Sequence, residues 1–127
     1  VMIYTTNFEK AGDFMEAIGQ EVQLAPTWPS EWIRDVKMED IDTETDEIRE
    51  AIECRDILGV ARALTDMLYV VYQAGHEFGI DLDECYNEIH RSKMSRLGDD
   101  GRPVLNSAGR PISGPDYEPP NLEQFLA

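Results

Sequence analysis

The chain reads as an all-α protein, a bundle of four to five helices followed by a long irregular tail rich in proline and glycine. Two observations predict this. Apolar residues recur at three- and four-residue spacing through most of the chain up to Leu97, with no strand-like pattern. From Gly98 to Pro120 that periodicity gives way to four glycines and five prolines, so 98–127 is expected as a tail. No internal repeat or boundary divides the 127 residues, which are taken as one domain over 1–127.

The first helix is expected from about Asn7 to Val22. Phe8, Ala11, Met15, Ile18 and Val22 repeat at helical spacing, and Thr6 or Asn7 can cap it. Val1-Met2-Ile3-Tyr4 ahead of it reads as a short strand or an extended arm. Pro26 and Pro29 mark a loop carrying Trp28. The second helix starts near Ser30, a good N-cap, and runs to about Cys54, with Ile33, Ile41, Ile48 and Ile52 on one face. The third spans about Ile57 to Phe78 and stops at Gly79. It is apolar nearly all round from Leu64 to Ala74, the pattern of a buried central helix. The fourth opens at Asp81 with Glu84 three residues on, an arrangement like a capping box. Leu82, Cys85, Tyr86, Ile89 and Met94 would form its core face. The last residues, 121–127, can add one helical turn.

A net charge of −15 excludes nonspecific binding to nucleic acid or to acidic membranes, both of which need a basic surface. No apolar stretch reaches the ~20 residues of a membrane span and no signal peptide opens the chain, so a cytoplasmic protein is expected. Cys54 and Cys85, two and far apart, make neither a disulfide framework nor a zinc site and are read as reduced, packed thiols.

Chemistry is suggested by three acids. Glu44 and Glu47 lie three apart on the second helix, about 60° apart around its axis, and both can point at one spot. Glu44 falls about 40° from Ile48, at the edge of the apolar stripe. Asp66 interrupts the apolar run Leu64–Tyr72. A lone carboxylate there is costly to bury unless a positive group meets it. A divalent ion shared with Glu44 and Glu47 would meet that need, as would Arg62 one turn earlier. A Glu-x-x-Glu pair by itself is common among solvated surface acids.

Downstream, His90-Arg91-Ser92-Lys93-Met94-Ser95-Arg96 is a basic cluster suited to phosphate oxygens. Cations at a helix C-terminus equally complement its dipole. Carboxylates for metal beside cations for phosphate point to phosphate-ester chemistry. Phe8, Phe14, Trp28 and Trp32 are the aromatics able to stack on a base, although core packing is the commoner role of each. His90 reads as a packed histidine, and His76 has no ligand partner in the sequence pattern.

These motifs also carry a resemblance. Asp13–Gly19, Glu44-Thr-Asp-Glu47-Ile-Arg-Glu-Ala51 and Asp66-Met-Leu-Tyr-Val-Val-Tyr72 resemble the opening helix, the EExxE helix and the ExxD helix of MazG-like all-α nucleoside triphosphate pyrophosphohydrolases. Gly79–Leu82, Glu88–Arg96 and the tail from Asp100-Gly101-Arg102-Pro103 to Pro119-Pro120 resemble their dUTPase-like branch. The resemblance spans roughly residues 8–123. It implies hydrolysis of an NTP or dNTP to the monophosphate and pyrophosphate, with Mg²⁺ or Mn²⁺ held by Glu44, Glu47 and Asp66. It implies Lys93 and Arg96, with Arg91 as a weaker candidate, on the phosphates. Glu50 is the unliganded acid that would orient water, and Phe14, Met15 and Trp32 would lie at the base. It further implies a homodimer or a dimer of dimers.

Two departures stand out. Thr43 replaces the first acid of EExxE and Ala63 the glutamate of ExxD, so fewer metals are held or Asp40, Asp46 or Glu50 is recruited. Met15 stands where relatives often carry His, which turns the expectation from uracil toward guanine, as in a phage-borne branch acting on guanine deoxynucleotides. The rival readings are a dUTP-cleaving enzyme of the same fold, a homologue inactivated at Thr43 and Ala63, and a non-enzymatic acidic helical protein mimicking DNA. A mimic needs regular rows of exposed carboxylates; an enzyme needs a few that converge.

Overall fold

The computed structural model describes Ile3 and residues 6–127. Apart from Ile3, the strand or arm expected at Val1–Tyr4 lies outside the described residues. The regular structure is helical, as expected: α1 Asn7–Ala17, α2 Glu31–Glu53, α3 Ile57–Phe78 and α4 Leu82–Met94. Two-residue strands β1 Val104–Leu105 and β2 Pro111–Ile112 and a 3₁₀ turn Glu123–Phe125 complete the described elements. The chain forms two compact units, Val1–Asp81 and Leu82–Ala127.

In the first unit α1 and α2 both pack on α3. The Thr6 hydroxyl accepts the Glu9 amide at 3.1 Å, the Ser30 hydroxyl accepts that of Ile33 at 3.3 Å, and Asp56 accepts that of Gly59 at 3.0 Å. Each N-terminus thus gains a partner for an amide that its helix leaves open. α1 stops at Ala17, five residues before the expected Val22. Gly19 adopts φ 81°, and the amides of Ile18, Gly19 and Gln20 close back on the last helical carbonyls. That left-handed residue ends the helix despite the continuing apolar spacing, and it leaves Ile18 half exposed.

The α1–α2 loop is stitched to the end of α3. The Gln23 amide donates to the His76 carbonyl at 2.9 Å and the Thr27 amide to that of Phe78 at 2.8 Å. Gly79, at φ 68°, lets the Ala25 carbonyl approach so closely that a Cβ would stand 1.9 Å from its oxygen. Edge-to-face packing of Trp28 on Phe78, with centroids 5.7 Å apart, completes the seam. His76, without an assigned role in the sequence, is buried. Its ring stacks on Phe8 at 3.9 Å and its Nε2 donates to the Phe8 carbonyl at 2.8 Å.

Two burial expectations fail on this unit. α3 is not buried all round: Ile57, Leu58, Leu64, Leu68 and Val71 are exposed or half exposed. On α2, the buried positions are Lys37 and Ala51, while Ile52 is exposed. The side facing α3 carries charged residues among its apolar ones, which displaces the isoleucines from the centre of that face.

In the second unit Glu88, Ser92 and Cys85 are the buried residues of α4, whereas Tyr86 and Met94, expected on its core face, are exposed. Polar hydrogen bonds to the tail set this face. Glu88 accepts the Asn121 amide at 2.7 Å, and Ser92 donates to the Glu118 carbonyl at 2.8 Å. Apart from the 3₁₀ turn, the tail is irregular except for the antiparallel pair Val104↔Ile112 and Leu105↔Pro111. Its turn is held by Asn106, whose side-chain oxygen accepts the amides of Ala108 and Arg110.

Candidate active site

Glu44 and Glu47 on α2 and Asp66 on α3 converge, with one carboxylate oxygen from each lying within 4.8 Å of the others. The α2–α3 packing creates this, because Glu44, Glu47 and Ala51 repeat at three and four residues along the side of α2 facing α3. Glu44 Oε2 is buried and has no hydrogen-bond partner. The Glu44 pKa is raised, first by loss of solvent, then by its hydrogen bond with Glu47 and by repulsion from Glu47, Asp66 and Asp40. Three crowded acids with an unsatisfied buried oxygen could hold a hard divalent cation, which takes oxygen ligands.

Asp66 is not the buried charge that the apolar run predicts. Its side chain is 45% exposed and its carboxylate lies 3.7 Å from Arg62 Nε. Within the apolar run it points to the polar side that Arg62, Gln73 and Glu77 share at helical spacing, so burial cost alone does not demand a cation. Ala63, at a position where the resemblance implies an acid, is buried near the Ala51–Gly59 close approach. Of the acids considered as recruits, Asp46 lies 3.4 Å from Arg49 and Asp40 lies 3.6 Å from Lys37. Glu50 is exposed and shares with Glu47 and Arg62 a hollow of about 280 Å³.

One to two turns before Glu44, a cavity of about 410 Å³ opens between α2, α3 and the α1–α2 loop. Met15, fully buried, and Trp32 line it, as does Trp28. Phe14 does not: it stands half exposed, edge-on to Tyr69 with centroids 5.9 Å apart. The cavity holds a group that sequence reasoning missed. Lys37 is buried, 3.0 Å from Glu77 Oε1 and 3.6 Å from Asp40 Oδ2, and donates to Gln73 Oε1 at 3.4 Å. A signal for it existed, since Lys37, Asp40, Glu44 and Glu47 step along α2 at intervals of three, four and three, and Asp66, Gln73 and Glu77 answer them on α3.

In the second unit Arg91 is committed to Glu88 through Nε at 2.7 Å and Nη2 at 2.9 Å, with Glu118 3.8 Å away. That pairing, with the Asn121 amide, holds the Glu88 pKa down at about 2. Lys93 and Arg96 are exposed, and among the described residues neither makes an ion pair within 4 Å.

The family model of phosphoribosyl-ATP pyrophosphohydrolases (PRA-PH) matches residues 11–93, from within α1 almost to the end of α4. The chain belongs to this family, part of the MazG-like all-α NTP pyrophosphohydrolase superfamily, and thereby to the pyrophosphohydrolases. No curated protein sequence matches it. No helix among the described residues is long and apolar enough to cross a membrane.

Proposed function

We propose that the chain hydrolyses a nucleoside triphosphate, dGTP or GTP before others, to the monophosphate and pyrophosphate. The observation that carries this reading is the convergence of Glu44, Glu47 and Asp66 around the unpartnered Glu44 Oε2. Those three side chains would hold Mg²⁺ or Mn²⁺. When bound, such an ion supplies positive charge for the phosphates and lowers the pKa of a water. Water attacks the α-phosphorus, the bond to the bridging oxygen breaks, and pyrophosphate leaves. Glu50, exposed next to Glu47 and outside the three-acid cluster, orients that water. Lys93 and Arg96 offset charge on the departing pyrophosphate; Arg91 has its guanidinium engaged by Glu88 and is the weakest of the three cations.

The base sits in the cavity, with Trp28 and Trp32 as stacking surfaces. Met15 lines the same cavity, which is where a change from His bears on the base and favours guanine over uracil. Deoxyribose is the preferred sugar. The open stripe of Ile57, Leu64, Leu68 and Val71 on α3 fits a homodimer or dimer of dimers, because apolar residues at this spacing form a helix-packing seam. Such an enzyme works in the cytoplasm on the free nucleotide pool.

The test is a panel of NTPs and dNTPs with Mg²⁺ or Mn²⁺, read by product chromatography. Monophosphate and intact pyrophosphate are expected, fastest from dGTP. Orthophosphate and diphosphate would refute the bond assignment; faster turnover of dUTP would refute the base assignment alone. In a folded Glu47→Gln variant, turnover should fall by orders of magnitude.

A further inference from the structure

Lys37 is a buried cation on the wall of the cavity, and its surroundings are unevenly matched. Glu77 lies 3.0 Å away, Asp40 3.6 Å away, and the Gln73 carbonyl oxygen accepts from it at 3.4 Å. Glu21 adds a third acid to the lining, which contains no other lysine or arginine. Glu77 Oε1 is buried and its contact with Lys37 is an ion pair without hydrogen-bond alignment. The cavity's volume of about 410 Å³ suits a ligand the size of a nucleoside. Trp28, edge-to-face with Phe78, and Trp32 line it and are strongly exposed, 81% and 73%.

We propose that Lys37, paired with Glu77 and close to Asp40, is the specificity-determining group that reads the base edge in this cavity. The inference rests on the nucleotide reading above and names the groups that give it selectivity. One ammonium among several acceptors matches an edge with one acceptor and more than one donor. A 6-oxopurine with a 2-amino group is such an edge: its carbonyl faces Lys37 while its ring N–H and amino group donate to Glu77 and Asp40. Uracil, with two carbonyls and one N–H, would turn a carbonyl toward a carboxylate. Adenine would present its amino group where Lys37 needs an acceptor. Because Lys37 and Glu77 are largely buried, a base that leaves them unpaired is rejected far better than an apolar pocket rejects a misfit.

Equilibrium binding of nucleoside monophosphates tests this without catalysis. Calorimetry would compare dGMP, dIMP, dAMP and dUMP on the full-length protein and on Glu77→Gln and Lys37→Met. The parent should bind dGMP about tenfold or more above dIMP, which lacks the amino group, and above dUMP. Glu77→Gln should lower dGMP affinity and compress the dGMP-to-dIMP ratio toward one. Lys37→Met should compress the dGMP-to-dAMP ratio. Should Lys37→Met fail to fold for want of a partner for Glu77, Lys37→Met/Glu77→Leu removes both members of the pair and serves instead. A parallel loss for all four ligands would mark Lys37 and Glu77 as structural and overturn the proposal. So would a parent that binds dUMP or dAMP as tightly as dGMP. Triphosphate cleavage with no such pattern keeps the function and sinks this inference; the binding pattern without cleavage does the reverse.

Discussion

Replacing Glu44 by Gln should make the metal-free protein more stable, and the size of the gain follows from the geometry. The three carboxylates offer oxygens within 4.8 Å of one another. At that separation two unit charges repel by about 0.9 kcal/mol in a water-like dielectric. Screening at physiological ionic strength, with a Debye length of about 8 Å, reduces each pair to roughly 0.5 kcal/mol. Glu44→Gln removes two such pairs, so about 1 kcal/mol is gained, or a rise in Tm of roughly 3–5 °C for a domain of this size. The amide can also donate to Glu47 or Asp66, while Glu44 Oε2 now has no partner. The sign agrees with the raised Glu44 pKa. An acid held above its ordinary value costs stability while ionised and is relieved as pH falls through its folded value. Scanning calorimetry in EDTA measures the gain. Adding Mg²⁺ or Mn²⁺ should then stabilise the parent, by about 2.7 kcal/mol at a hundred times Kd, and leave the variant nearly unmoved. An unchanged or lowered Tm in EDTA, or equal stabilisation of both proteins by metal, would refute the reasoning.

Other expectations bear on separate parts of the chain. Lys93→Ala and Arg96→Ala should weaken triphosphate binding more than monophosphate binding, because both cations are assigned to the outer phosphates; titration of each nucleotide would show this, and equal losses would contradict it. Gly12→Ala should destabilise by about 1–3 kcal/mol, the usual range for overpacking. A Cβ there would stand 2.5 Å from His76 Cε1, and the ring is pinned between its stack on Phe8 and its bond to the Phe8 carbonyl. Denaturant melts measure that cost. Carboxyl NMR should place the Glu88 midpoint at about 2. Its depressed pKa adds stability above the ordinary value of 4.5 that is lost as pH falls toward 2, so the contacts joining α4 to the tail should loosen in that window. A midpoint above 4 would show that the Arg91 and Asn121 contacts do not hold.

Helix existence was legible because it depends on local spacing and caps. Ser30, Thr6 and Gly79 mark ends where the structure has them. The end of α1 was misjudged because one glycine at φ 81° outweighs an apolar residue three positions on. Burial was harder to read. Tyr86 and Met94 have the right spacing for a core, yet α4 turns Glu88 and Ser92 inward, since the tail supplies the amide and carbonyl that satisfy them. Such partners lie 26 and 33 residues away in the chain, and no periodicity reports them. The small β1–β2 pair was likewise hidden in a segment rich in proline and glycine.

The three acids do converge in space, but not for the reason the apolar run suggests. Asp66 was singled out as a charge buried in an apolar run, but it is half exposed and faces Arg62. What joins it to Glu44 and Glu47 is the register between α2 and α3. The same register accounts for Lys37, overlooked because a lysine among many charges on a long helix looks like solvated surface. Three-and-four spacing of charged residues on two neighbouring helices, at positions where one helix is otherwise apolar, distinguishes a facing polar seam from a solvated one. Along this seam the acids cluster at Glu44, Glu47 and Asp66, with Arg62 beside Asp66, then continue into an ion-paired stretch at Lys37 and Glu77. In the proposed reading, a divalent ion and a base would take these two stretches of the same helix pair, with a nucleotide lying along the seam, phosphates toward the acids and base toward the tryptophans.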